Sequence, residues 1–322
     1  IQWMPIINSV DHSNKKIVTS KKYITLKALI VSLRPKQWSK NLIVFCALFF
    51  STGEAWSLNA PELALTFVSK TIATFLIFCC LSSAVYLIND IIDIDRDSKH
   101  GKKQFRPIAS RVLPVFTAWI SSAILGASGL ILSFIVEPIL GIVSVSYLTL
   151  MLGYSVIFKN FMLIDAFAIA GGFVLRAIAG AVVLQAPVSP WLYTCTGLGA
   201  LLIAFLKRRS ELSIAGDNAG IQRETLGKYT LPLLDQFIAI VATSVLLAYT
   251  LYTFTAPNLP ENSAMMLSIP FVTYSLFRYI YLAHSKNLGE NPEDIFLSDL
   301  PLLVSMALWL ATASAVLITF RG

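Results

Sequence analysis

Nine apolar stretches, each close to the length that crosses a bilayer, constrain this chain more than anything else in it. They cover residues 41–57, 66–88, 112–134, 138–157, 161–184, 190–206, 233–255, 262–283 and 301–320. A membrane helix needs about 20 mainly apolar residues to traverse about 30 Å of hydrocarbon. Inside lipid, the helix also satisfies its own backbone hydrogen bonds. The expected fold is therefore all-α, a polytopic membrane bundle of about nine transmembrane helices. The first stretch is the weakest, because Ser51, Thr52, Gly53 and Glu54 interrupt it. Pro138, Pro190, Pro232 and Pro301 stand at or just before the start of a stretch, where proline suits a first helical turn.

Composition excludes the main alternatives. Hydrophobic residues make up 56% of the chain and charged residues 13%, whereas a soluble domain carries about 25% charged residues. The same apolar content argues against disorder. Cys46, Cys79, Cys80 and Cys195 all lie within apolar runs, and His12, His100 and His284 form no cluster. Neither a zinc site nor a disulfide framework is implied. Residues 1–22 read as a polar, flexible tail with no small-residue cleavage site, so no cleaved leader is expected. Residues 23–322 read as one transmembrane domain, opening with an amphipathic surface helix over 23–33.

Basic residues predict the orientation. With a cytosolic N-terminus, nine spans put every Lys and Arg except Lys70, Arg176 and Arg321 in inner segments. Outer loops carry mainly Glu54, Glu62, Glu137 and Glu261. The net charge of +7 is then mostly a positive-inside signal and calls for no nucleic acid.

The chemistry gathers at the end of the second stretch, in Asn89-Asp90-Ile91-Ile92-Asp93-Ile94-Asp95-Arg96-Asp97. Carboxylates at a membrane edge are costly and point to function. At about 100° per residue, Asp90, Asp93 and Asp97 fall within roughly 60° of one another. Asn89 lies about 40° beyond Asp93, and Asp95 faces nearly the opposite way. Such an oxygen-lined stripe suits hard Mg²⁺, which keeps waters and substrate phosphates among its ligands.

A basic loop follows at once, with Lys102, Lys103 and Arg106, the last fixed by Pro107. Metal plus Lys and Arg beside it is what a bound polyphosphate needs. Lys36 and Lys40, before the first stretch, are four apart and could share a face toward the same place. Tyr154, Lys159 and Asp165 cluster where the fourth stretch meets the fifth. Further basic residues stand in Lys207-Arg208-Arg209-Ser210-Glu211, with Arg223 and Tyr229 beyond, and an acidic group comprises Glu290, Glu293, Asp294 and Asp299. Arg176 lies inside the fifth stretch, so it is expected to face the bundle interior and find a partner, with Gly171, Gly172 and Gly180 allowing close packing.

These residues carry a resemblance. The nine stretches, the Asn89-Asp90-x-x-Asp93-x-x-x-Asp97 stripe and Arg106-Pro107-Ile108-Ala109-Ser110 are similar to the UbiA superfamily of intramembrane prenyltransferases, over roughly residues 30–322. Arg34 to Asn41, Tyr154 to Lys159, Arg176 to Gly180 and Lys207 to Glu211 resemble its decaprenyl-phosphate phosphoribosyltransferase branch. That resemblance implies Mg²⁺-dependent transfer of 5-phosphoribose from phosphoribosyl diphosphate to a polyprenyl phosphate, at the cytosolic face of a bacterial cell membrane. It implies Asp90, Asp93 and Asp97 as metal ligands and Asn89 as ligand or orienter. It also implies roles for Lys159 and Asp165 at the reaction centre, and for Lys36, Lys40, Lys102, Lys103, Arg106, Tyr154 and Arg208 on phosphates or sugar. The superfamily's second aspartate-rich motif is replaced here by Asp165 with Tyr154 and Lys159. His100-Gly101 departs from the proline that many relatives carry after the histidine.

Prenyl transfer from a polyprenyl diphosphate to an aromatic or other acceptor is the nearest alternative. A transporter would line a midplane pathway with polar groups, whereas here the charges collect at one membrane edge.

Overall fold

The computed structural model describes residues 25–52, 56, 60–99, 101–186, 189–216, 225–256, 259–285, 295 and 298–321. The tail, Glu54, His100, Arg223, Glu290, Glu293 and Asp294 lie outside these. Among the described residues the chain is almost entirely helical, with a single isolated bridge between Thr52 and Trp56. In chain order the α-helices are α1 (Phe45–Phe50), α2 (Pro61–Ile92), α3 (Ile94–Ser98), α4 (Val115–Val136), α5 (Pro138–Val156), α6 (Ile164–Val183), α7 (Pro190–Ala215), α8 (Leu231–Thr255), α9 (Ile269–Ser285) and α10 (Leu300–Arg321). Proline stands in the first turn of α2, α5, α7 and α8, where its missing N–H costs no bond.

Eight helical segments among the described residues are long and apolar enough to span a membrane. They match eight of the nine expected stretches. The expected first span, 41–57, is not a regular α-helix. Pro35–Val44 forms a ten-residue 3₁₀-helix, and α1 adds six residues. The first six residues of the 3₁₀-helix, Pro35 to Lys40, are mainly polar, so at about 2.0 Å and 1.5 Å per residue the apolar part, 41–50, covers roughly 17 Å, short of the hydrocarbon thickness of about 30 Å. The segment is accordingly not among the helices long and apolar enough to cross a membrane in the described residues.

This stretched segment runs antiparallel along α2. Ser83 Oγ donates to Leu33 O, Trp38 Nε1 to Ser83 Oγ at 3.0 Å, and Asn41 Nδ2 to Cys79 Sγ at 3.3 Å. Phe45 packs on Phe75, and Trp56 shares an apolar cluster with Phe67 and Val68 near the start of α2. On its other side it touches α6 backbone to backbone. A Cβ on Gly180 would lie 2.1 Å from the Val44 carbonyl oxygen, so only glycine allows this approach.

Residues 25–32 are helical, with Ala28 and Ser32 buried and Leu26, Ile30 and Val31 exposed. Ala28 joins Leu87, Ile108, Leu113 and Ala118 in one cluster, which ties this helix to the loop carrying Arg106. Outward-facing Ile, Leu and Phe on α4, α9 and α10 are the lipid-facing surface of the bundle.

Candidate functional site

The 32 residues of α2 span about 48 Å, more than the hydrocarbon core requires, so its last turn stands beyond the apolar run. Asp93 ends α2 and begins α3. The i to i+4 bonding continues through that break: Asp93 N donates to Asn89 O at 3.0 Å and Asp97 N to Asp93 O at 2.8 Å. The one-faced spacing expected of the stripe therefore survives. Asp90 and Asp97 are each 2% exposed, Asn89 and Asp93 are half-buried, and Asp95 is exposed on the far side.

Cations cover every carboxylate of the stripe. Arg106 Nη1 lies 3.1 Å from Asp90 Oδ1 and 2.6 Å from Asp97 Oδ2, so one nitrogen bridges two carboxylates. Lys159, in a 3₁₀ turn at Phe158–Asn160, places Nζ 2.7 Å from Asp93 Oδ1. Arg34 reaches Asp90 and lies 5.0 Å from the Tyr86 ring centroid. It does so from a left-handed backbone (φ 54°, ψ 59°) immediately before Pro35, a conformation that costs free energy and persists only where surroundings impose it. The Arg106 loop is itself fixed. Its carbonyl accepts from Ser110 N at 2.9 Å, Leu113 N donates to Pro107 O at 2.8 Å, and Ile108 and Leu113 are fully buried.

A second buried group adjoins the first. Arg208 Nε donates to Asp165 Oδ2 at 2.9 Å and its Nη1 to Glu211 Oε2 at 2.6 Å. Arg208 is 3% exposed and Asp165 fully buried. Arg208, a candidate for a substrate phosphate, is paired within the fold with two carboxylates. Lys207 lies nearby, within electrostatic reach of Glu211, Lys40, Arg208 and Tyr154. Lys103 lies near Arg106, Asp97, Glu211 and Lys207, and burial is the first cause that holds its ammonium below the usual lysine range. Lys103 thus links the stripe to the α7 group. Lys102 is exposed beside it.

Lys36 and Lys40 do not share a face as an α-helix would arrange them. At 3.0 residues per turn, four residues leave them about a third of a turn apart. Lys36 is exposed and Lys40 half-buried. Asp299, expected to neutralise basic loops or to be solvated, pairs through both oxygens with Arg278 and accepts from Leu302 N, capping α10. Tyr229 accepts Leu163 N at 2.9 Å, a structural role. Arg34, Lys207 and Glu211 lie in motifs that the sequence displays, but only the fold brings them beside the stripe and the Arg208 group. The signal for Arg34 was its place before proline in a basic run.

Among the described residues, no three His, Cys, Asp or Glu side chains converge as a preformed metal cage. The donor set still fits Mg²⁺, which is usually held by one or two carboxylates plus substrate phosphates and waters. Asp90 and Asp97 already share one cationic nitrogen, which marks a position between them suited to positive charge.

Apolar spans surrounding a buried carboxylate-and-cation site at one end define an integral membrane protein built around a polar centre. The chain belongs to the UbiA prenyltransferase family, whose sequence profile matches residues 41–300. It is 31% identical over 302 residues to the decaprenyl-phosphate phosphoribosyltransferase of Mycobacterium tuberculosis, covering 94% of this chain and 98% of that one. It is 33% identical over 285 residues to the protein of the same name from Corynebacterium glutamicum, covering 87% and 84%. Its fold is similar to that of a UbiA homolog from Archaeoglobus fulgidus bound to GPP and Mg²⁺, with a TM-score of 0.67, 18% identity, and coverage of 91% of this chain and all of that one.

Proposed function

We propose that this protein transfers 5-phosphoribose from phosphoribosyl diphosphate to a polyprenyl phosphate such as decaprenyl phosphate. The observation that carries this reading is the 31% identity to a decaprenyl-phosphate phosphoribosyltransferase along 94% of the chain. The pairing of Lys159 with Asp93 supports it, since the site then offers direct positive charge where a second aspartate-rich motif would recruit metal.

In this reading the bond from sugar C1 to the diphosphate oxygen breaks, and a lipid phosphate oxygen bonds to C1. The sugar carbon is oxocarbenium-like on the way, as in other glycosyl transfers. The nucleophile is already anionic, so no general base is needed, consistent with a stripe lined by Asp, Arg and Lys. Asp90, Asp93 and Asp97 would hold Mg²⁺, with Asn89 as ligand or orienter. The ion supplies Lewis-acid stabilisation of the departing diphosphate. Arg106, Lys102 and Lys103 bind the diphosphate or the 5-phosphate, and Lys36, Lys40 and Lys159 serve the lipid phosphate or the 5-phosphate. Tyr154 hydrogen-bonds sugar or phosphate. Arg208 positions Asp165 and Glu211, which in turn orient the lysines around them. The N-terminus and the site face the cytosol of a bacterial cell, where the soluble donor is found, and the prenyl tail stays in the bilayer.

Prenyl transfer is the second reading, favoured by the structural likeness to a homolog bound to GPP. Purified protein offered phosphoribosyl diphosphate with decaprenyl phosphate, or a polyprenyl diphosphate with an aromatic acceptor, separates the two. Turnover of the first pair alone is expected. Turnover of the second pair alone overturns the proposal and leaves the family assignment standing.

A further inference from the structure

The stripe of carboxylates is not open to a cation in this fold. We propose that Arg106 and Lys159 are built-in occupants of the divalent-cation position, so that the stripe takes up a divalent cation only together with a diphosphate. The proposal rests on the reading of Asp90, Asp93 and Asp97 as metal ligands.

Three observations carry it. One oxygen of each carboxylate is already in use: Asp90 Oδ1 and Asp97 Oδ2 on Arg106, and Asp93 Oδ1 on Lys159. The cations are held in place. Lys159 is 5% exposed, and Arg106 sits on a loop anchored by buried Ile108 and Leu113. The cations outnumber the carboxylates, because Arg34, Arg96, Arg106 and Lys159 pair with Asp90, Asp93 and Asp97. A lone divalent ion would have to enter beside four cations, a like-charge encounter made severe by burial. A diphosphate changes the balance. Its anionic oxygens accept charge-assisted hydrogen bonds from the guanidinium and the ammonium in place of the carboxylates. Arg106 and Lys159 then turn from carboxylate to phosphate, and the freed oxygens face the incoming ion. The same two side chains both exclude the free ion and greet the donor, so the order of binding is written into the site.

Mn²⁺ binding to the full chain in nanodiscs, followed by the electron paramagnetic resonance of the free ion, tests this without turnover. Wild type is expected to show no saturable site for Mn²⁺ alone over the range in which Arg106→Gln fills. Arg106→Gln and Lys159→Gln are each expected to tighten Mn²⁺ binding about tenfold or more, by removing a like charge. Arg106→Lys, which keeps the charge, should stay near wild type. Adding Asp93→Asn to Arg106→Gln should abolish the new site, which assigns it to the stripe. Should Arg106→Gln not remain folded by size exclusion, Lys159→Gln carries the same expectation. A wild type that binds Mn²⁺ alone as tightly as both glutamine variants overturns the proposal. The outcome is independent of donor identity: the expected Mn²⁺ pattern with turnover of a polyprenyl diphosphate would sink the phosphoribosyl reading and leave this one intact.

Discussion

Arg176 Nε donates to Asn41 Oδ1 at 2.7 Å, joining the interior of α6 to the stretched 3₁₀ segment 135 residues earlier. It also donates to Tyr147 Oη at 2.7 Å and Gly172 O at 2.9 Å, with its guanidinium carbon 4.7 Å from the Tyr147 ring centroid and 5.4 Å from that of Phe173. Three elements thus meet on one buried cation, with neutral oxygens and an aromatic face taking the place of a carboxylate partner. The segment so held carries Arg34 and Lys40 into the site.

Arg176→Met should therefore lower thermal stability. It strands Asn41 and Tyr147 without their donor, and each buried polar group left unpaired costs about 1–3 kcal/mol. Arg176→Lys should recover only part of the loss, because a single ammonium lacks the planar fork that reaches three partners. Melting temperature in detergent measures both, and an unchanged melt in Arg176→Met would show that the Arg176 contacts do not hold the three elements together.

Glycine substitutions in two helices should differ sharply. Gly180→Ala places Cβ 2.1 Å from the Val44 carbonyl, a backbone atom with no rotamer to escape into, whereas a Cβ on Gly199 meets nothing within 4 Å. Overpacking of the first kind costs about 1–3 kcal/mol or more. Gly180→Ala should lower both the melting temperature and activity, and Gly199→Ala should leave both near wild type.

Asp165→Asn tests the second buried group. The substitution leaves Arg208, at 3% exposure, with only Glu211 as its anionic partner among the contacts described. Breaking a buried pair from one side costs about 3–5 kcal/mol. The loss should appear as reduced stability at every substrate concentration. A loss confined to KM with an unchanged melt would instead place Asp165 on substrate.

Lys103 gives the site a pH dependence. Burial disfavours its ammonium, as does Arg106 nearby, while Asp97 and Glu211 oppose that shift less strongly. The native state therefore binds fewer protons than the unfolded chain between the depressed value and the ordinary one of about 10.4. Stability contributed by this residue accordingly rises with pH through that window. Anion binding has the opposite sign, because the cationic fraction falls earlier than for an exposed lysine. KM for phosphoribosyl diphosphate should climb on the alkaline side sooner than an ordinary lysine allows, and Lys103→Arg should move that limb upward. A limb that does not move in Lys103→Arg would separate Lys103 from donor binding.

Much of this architecture could be read from the chain alone, and the exceptions have physical causes. Eight helices followed from apolar runs of sufficient length, and the helical period correctly turned Asp95 away from Asp90, Asp93 and Asp97. The segment before Ser51 misled, because a 3₁₀ path over Pro35–Val44 changes both its length and the facing of Lys36 and Lys40. Nothing in local periodicity reports that choice, nor the close approach of Val44 to Gly180 on another helix that goes with it. Pairing was equally hidden. Arg208 looked like one more basic residue at a membrane edge until α6 brought Asp165 against it. Arg34 gained its role from a left-handed turn that only the folded context stabilises.

The most direct test of the central claim follows the two ends of the donor separately. Phosphoribosyl diphosphate labelled with ³²P at the 5-phosphate, or at the terminal diphosphate phosphorus, is incubated with purified protein, Mg²⁺ and decaprenyl phosphate, with Asp93→Ala run alongside. The account predicts that the 5-phosphate label moves into the lipid phase, that the diphosphate label stays in water, and that Asp93→Ala abolishes the transfer. Failure of the 5-phosphate label to reach the lipid, or undiminished transfer by Asp93→Ala, would contradict it.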